Sequence, residues 1–136
     1  MNEGISPDRI EIYHRSGIDY FSMLNEIDVA LDSLPYNGHL STYEFLAQGT
    51  PVWSVRGPRM TQRYGHMLIG HVGMPEWVFD SEEDLIASLA KNIQVKTDEA
   101  SASLRQRVAD SALGDPIRAP RMMENAIETL INQTGS

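Results

Sequence analysis

The residues best suited to chemistry lie between Leu34 and Val52, in the stretch LPYNGHLSTYEFLAQGTPV. Gly38 carries no Cβ, so the backbone there can approach a ligand closely. Ser41 and Thr42 put hydroxyls and unbonded N–H groups at the start of an expected helix, a setting suited to phosphate. Glu44 follows inside the first turn. A carboxylate repels phosphate but can accept two hydrogen bonds from a ribose diol. A phosphate cradle and a carboxylate one turn apart suit a nucleotide diphosphate. The same residues equally fit a plain capped helix with an acidic first turn, and the stretch taken alone leaves both readings open.

The elements that must position this loop follow from periodicity and turn chemistry. Arg9–His14 alternates and is expected as a strand. Ser16–Asp19 is a turn, and the apolar residues 20, 21, 23, 24 and 27 have helical spacing. Asp28–Asp32 reads as a buried strand, and Leu34–His39, with Pro35 and Asn37-Gly38, as a loop. Ser41 or Thr42 should cap a helix that ends at Gly49. Pro51–Val55 is the next strand, Thr61 opens a helix that stops at Gly73, and Pro75–Phe79 is a short strand. Ser81 followed by Glu82, Glu83 and Asp84 is a helix start, with a hydroxyl cap and acids that match the helix dipole. Further helices are expected over Asp98–Asp110 and Pro120–Gln133. Alternation of strands and helices with short connections implies a parallel sheet flanked by helices. The loop at 34–39 then falls at the carboxyl ends of the strands, where such sheets bind ligands. Three or four strands are countable, fewer than the five or six of a complete nucleotide-binding domain of this kind, so the first strands are expected to be missing or supplied elsewhere.

Other side chains invite weaker readings. His66 and His71 are five residues apart and cannot share a helix face as a metal pair would. His14 reads as structural, and His39 stands in the ligand-type loop. Arg56, Arg59 and Arg63 form either a solvated surface or a contact to phosphate. Trp53, Trp77 and the stripe Met67-Leu68-Ile69 are expected in the core. No G-x-S-x-G, Walker loop or G-x-G-x-x-G occurs in the sequence.

Composition narrows the class. The 136 residues are room for one domain, with 41% hydrophobic and 22% charged residues. No cysteine is present, which excludes disulfides, thiolate metal sites and thiol nucleophiles. The net charge of −8 argues against nucleic acid as a partner. No apolar run is long enough to span a membrane, and residues 1–4 do not resemble a secretory signal. A cytoplasmic location is the expectation.

Glu44, four residues, then Gly49-Thr50-Pro51-Val52 resembles the E-x4-G-x-P-V signature of GT-B glycosyltransferases. Asp28–Asp32 followed by Pro35-Tyr36-Asn37-Gly38-His39 looks like the catalytic C-terminal region of the O-linked N-acetylglucosamine transferase family, with its SPINDLY-like members. Gly57-Pro58-Arg59 with Arg63 and Leu68 is similar to a later segment of that family. Gly73-Met74-Pro75-Glu76-Trp77 and Ser81-Glu82-Glu83 resemble the segments that follow, and are close to those of bacterial cytoplasmic N-glycosyltransferases. The resemblance spans roughly residues 9 to 131.

The resemblance implies an α/β fold: a partial Rossmann-like parallel sheet flanked by helices, the C-terminal half of a GT-B enzyme, with a helical C-terminal extension. It implies that residues 1–136 are a single domain that binds a UDP-sugar, UDP-N-acetylglucosamine, and that the acceptor domain is absent. Transfer in the family inverts the sugar and uses neither cofactor nor bound metal, with a protein as acceptor. Carried over by motif, Asn37 and Gly38 shape the loop and His39 lies beside the nucleotide. Ser41 and the backbone of Leu40 face the diphosphate, and Glu44 holds the ribose. This chain departs from the family pattern in three places. Leu40-Ser41 replaces Thr-Thr, Tyr20 stands where a histidine is common, and no lysine precedes Lys91. The isolated chain is therefore expected to bind UDP weakly and not to turn over. The alternative is a non-catalytic α/β interaction domain that kept the fold and lost the donor site. Family members fold the last helix back onto an N-terminal domain. Without that domain, the apolar face of the helix over Pro120–Gln133 either folds onto its own sheet or makes a homo-oligomer.

Overall fold

The computed structural model describes residues 4–13, 19–93 and 96–134. Three short parallel strands form the sheet: β1 (Ala30–Leu31), β2 (Val52–Val55) and β3 (Val78–Phe79), in the order β1-β2-β3. Ala30 and Leu31 register with Val52 and Trp53, and Ser54 and Val55 with Val78 and Phe79. All four residues of β2 are buried, as a central strand covered on both faces requires.

Among the described residues there are six helices: α1 (Tyr20–Asn25), α2 (Leu40–Ala47), α3 (Tyr64–His71), α4 (Glu82–Asn92), α5 (Asp98–Asp110) and α6 (Arg118–Thr134), of which α2, α3 and α4 contact the strands. The α/β class, the flanking helices and the helical extension at the C-terminal end are those the sequence implies. The core joins Ala30 and Val52 of the sheet to Leu46 of α2, Leu68 and Ile69 of α3, and Leu104 and Val108 of α5. Helix α5 packs directly on α2, so it braces from behind the helix whose start carries the candidate loop. The end of α2 fixes that contact. Gly49 has φ 81°, and a Cβ there would stand 2.5 Å from the carbonyl oxygen of Ser101 on α5.

Local signals explain the helix starts. Ser81 Oγ accepts the Asp84 N–H at 3.1 Å and Thr97 Oγ1 accepts the Ala100 N–H at 3.2 Å, each an N-cap followed by acidic residues. Asp19 caps α1 through the Ser22 N–H.

Several sequence expectations are corrected. Residues 10–13 form no strand. Pro7–Arg9 is a 3-10 turn, and Ile12 beyond it is 81% exposed, because alternation makes a strand only where a neighbour supplies hydrogen bonds. His14 and Ser16–Ile18 lie outside the described residues. Helix α2 begins at Leu40 with His39 as its N-cap, so neither Ser41 nor Thr42 caps it. The segment after Gly57 opens as a 3-10 turn, Met60–Gln62, before α3, and Pro75–Trp77 is likewise a 3-10 turn that leads into β3. Met67 is exposed, whereas Leu68 and Ile69 are core. Trp53 is buried, and Trp77 is half-buried against the core.

Candidate functional site

The carboxyl ends of the strands gather the loops that follow β1, β2 and β3. After β1 the chain turns at Asp32. Its Oδ1 accepts the N–H of Ser33 at 3.0 Å and of Gly38 at 2.7 Å, and its Oδ2 accepts the Ser54 hydroxyl at 2.7 Å. The loop passes through a cis Leu34–Pro35 bond. Ser33 Oγ donates to the Tyr36 carbonyl at 2.6 Å. Asn37 is fully buried. Its Nδ2 donates to the Ser33 carbonyl at 3.1 Å and its N–H to the Thr61 carbonyl at 3.0 Å, which ties the loop to the segment before α3. Asn37 Oδ1 is buried with no hydrogen-bond partner among the described residues. Gly38 is tightly enclosed: a Cβ there would lie 2.7 Å from both Ser41 Oγ and Thr42 Oγ1.

Helix α2 starts from this loop. The first helical bond runs from the Tyr43 N–H to the His39 carbonyl, so the N–H groups of Leu40, Ser41 and Thr42 precede the ladder. His39 supplies no side-chain cap, and no acidic residue stands in the first turn. The positive end of α2 is therefore left without a carboxylate of its own. The His39 ring lies 4.9 Å, centroid to centroid, from the ring of Tyr64. The Leu40 side chain is 65% exposed and Ser41 is exposed, while Thr42 is buried.

Glu44 sits in the second turn rather than the first, because α2 begins earlier than the hydroxyls suggest. It is half-buried, and its Oε2 accepts the Tyr20 hydroxyl at 2.9 Å. Asn37, Gly38, His39, Leu40, Ser41 and Glu44 thus occupy one continuous loop and helix start at the sheet's carboxyl edge. Beside it, Arg56 pairs with Asp80, and Arg63 Nε donates to the Gly57 carbonyl at 2.8 Å. With His66 these residues line a shallow hollow of about 380 Å³ at the ends of β2 and β3. Arg59 lies apart from it and belongs to the Met60–Gln62 turn.

Two relationships were not read from the sequence. Asp32 served there only to end a strand, yet it holds the loop. Ser54 and Gly65 reach it from distant positions, and local pattern carries no signal for either. Among the described residues no group of His, Asp and Glu is placed to hold a metal ion.

No family profile matches the chain. Among curated proteins it is similar to the probable UDP-N-acetylglucosamine–peptide N-acetylglucosaminyltransferase SPINDLY of Solanum lycopersicum, 26% identical over 134 residues, covering 93% of this chain and 14% of that protein. The same protein of Oryza sativa subsp. japonica is 27% identical over 132 residues, with the same coverage. Among solved structures, a mutant O-GlcNAc transferase of Thermobaculum terrenum superposes with a TM-score of 0.69 at 27% identity, over 87% of this chain and 24% of that one. The chain resembles O-GlcNAc transferases of the SPINDLY type. That resemblance extends to sequence and fold together. The chain spans about one seventh of the length of these curated relatives. No helix among the described residues is long and apolar enough to cross a membrane.

Proposed function

We propose that this chain is the donor-binding part of an inverting protein glycosyltransferase of GT-B architecture, and that its donor is a UDP-sugar, UDP-N-acetylglucosamine. One observation carries the reading. The motif shared with O-GlcNAc transferases forms an uncapped helix start at the carboxyl edge of a parallel sheet, with Glu44 one turn behind it. In this reading the N–H groups of Leu40 and Ser41, with the Ser41 hydroxyl, face the diphosphate. His39 lies beside the nucleotide and Glu44 accepts from the ribose hydroxyls. As the sugar leaves, negative charge grows on the diphosphate, and the start of α2 meets it with fixed dipoles.

Residues 1–136 act here as one domain, and transfer to a protein acceptor needs an acceptor-binding domain besides. In this reading residues 1–136 alone, with Leu40 in place of a hydroxyl residue, bind UDP weakly and do not turn over. Action in the cytoplasm is part of this reading, and a sequence that contains no cysteine fits a reducing compartment. Met122, Met123 and Ile127 of α6 are about half exposed or more, a face that supports self-association of the isolated chain.

A second reading, a non-catalytic interaction domain, has one observation in its favour: the Tyr20 hydroxyl already holds one oxygen of Glu44. Calorimetric titration with UDP and with ADP separates the two. The donor reading expects UDP binding near about 1 mM, roughly 4 kcal/mol, and ADP weaker. Equal or undetectable binding of both nucleotides would favour the interaction domain.

A further inference from the structure

We propose that Asp32 is the positioning residue of the donor loop, holding the start of α2 against β2 and α3 so that its first N–H groups stay available to a diphosphate. The proposal rests on the donor-site reading above and names the residue that gives that site its shape.

Four separate parts of the chain converge on this one carboxylate. Two are loop N–H groups, those of Ser33 and Gly38, both on Oδ1. The third is the hydroxyl of Ser54, on the central strand, which donates to Oδ2. The fourth is Gly65, in the first turn of α3. A Cβ at position 65 would lie 2.1 Å from Asp32 Oδ2 and 2.4 Å from Ser54 Oγ, so only glycine admits the carboxylate and its hydroxyl partner together. An aspartate that merely closes its own turn bonds within two or three residues. The Gly38 bond spans six residues and the Ser54 bond twenty-two.

The consequence lies one residue further on. Gly38 precedes His39, the N-cap of α2. A helix start is usually fixed by a side chain that bonds its first N–H groups, which also uses those groups up. Here no side chain does so. Anchoring is transferred upstream, to Gly38 through Asp32, and the first turn of α2 keeps its donors. The carboxylate's own charge is met by three donors, the Ser33 and Gly38 N–H groups and the Ser54 hydroxyl.

Asp32→Ala, Asp32→Asn and Ser54→Ala in the full chain test this. Asparagine keeps an acceptor for the Ser33 and Gly38 N–H groups, and the Ser54 hydroxyl can rotate to accept from its amide. UDP affinity and amide hydrogen exchange at Gly38 are measured by NMR, with spectral dispersion as the check of fold. The proposal expects Asp32→Ala to weaken UDP binding about tenfold and to speed Gly38 exchange, Asp32→Asn to restore affinity to within about threefold, and Ser54→Ala to fall between. A folded Asp32→Ala chain that binds UDP as the wild type does would overturn it, as would equal losses in the alanine and asparagine variants. Should the alanine variant not fold, Ser54→Ala decides, since unchanged affinity and unchanged Gly38 exchange in that variant sink the proposal. If the wild type binds no UDP, the donor reading fails on its own account. Gly38 exchange then still judges the anchor: slow in the wild type and fast in Asp32→Ala supports it, and no difference overturns it.

Discussion

The Tyr20 hydroxyl donates to Glu44 Oε2 at 2.9 Å, joining the start of α1 to the second turn of α2 across twenty-four residues. The bond holds one carboxylate oxygen of Glu44 in place. Tyr20→Phe keeps the ring and removes the bond, at a cost of about 1 kcal/mol in urea unfolding. In the donor reading it also weakens UDP binding by about threefold, because the carboxylate loses its orienting partner. A gain in affinity would show that Tyr20 blocks the ribose site instead. Glu44→Ala should weaken UDP binding by about tenfold.

Two serines at helix starts should behave differently. Ser81 caps α4 through the Asp84 N–H, so Ser81→Ala should cost about 1 kcal/mol of stability. Ser41 lies inside the first turn of α2, behind the N-cap His39. Ser41→Ala should change stability by only a few tenths of a kcal/mol and lower UDP affinity instead. Chemical unfolding beside a UDP titration distinguishes the two effects, and equal stability losses in both variants would contradict the assigned helix start.

Lys96 offers a pH signature. The residue is half-buried, and its Nζ donates to Thr50 Oγ1 at 3.1 Å. Burial lowers its pKa below the ordinary lysine value, an effect partly opposed by Asp28. In the pH range just below 10.5 the unfolded chain therefore holds the lysine proton more fully than the folded chain does. Stability gains from this residue as pH rises through that range. Lys96→Met should remove that rise, seen as the difference between the unfolding free energies of the two chains across the range. Parallel curves for the two would refute it.

Much of this arrangement was legible wherever a local signal decided the structure. The Asp98–Asp110 helix matches its expected bounds because Thr97 caps it and its apolar residues repeat at helical spacing. The start of α4 and the central strand were equally plain. Local signals failed where a distant partner decides. Residues 10–13 alternate like a strand but pair with no described neighbour. Ser41 and Thr42 look like caps, yet the bond from Gly38 to Asp32 sets the start of the helix earlier. Met67 follows the apolar stripe and still faces outward. The candidate site residues formed one sequence motif and occupy one loop. What fixes that loop, Asp32 with Ser54 and Gly65, is brought together only by the parallel sheet, and no periodicity in the sequence reports it.

The central claim, that the loop from Asn37 to Glu44 binds a UDP-sugar donor, is tested most directly by titrating the isotopically labelled chain with UDP and following backbone amide shifts, with ADP as the control. The account predicts saturable shifts concentrated at His39, Leu40, Ser41 and Glu44, larger for UDP than for ADP. Shifts absent at millimolar UDP, or spread equally by both nucleotides over residues remote from this loop, would contradict it.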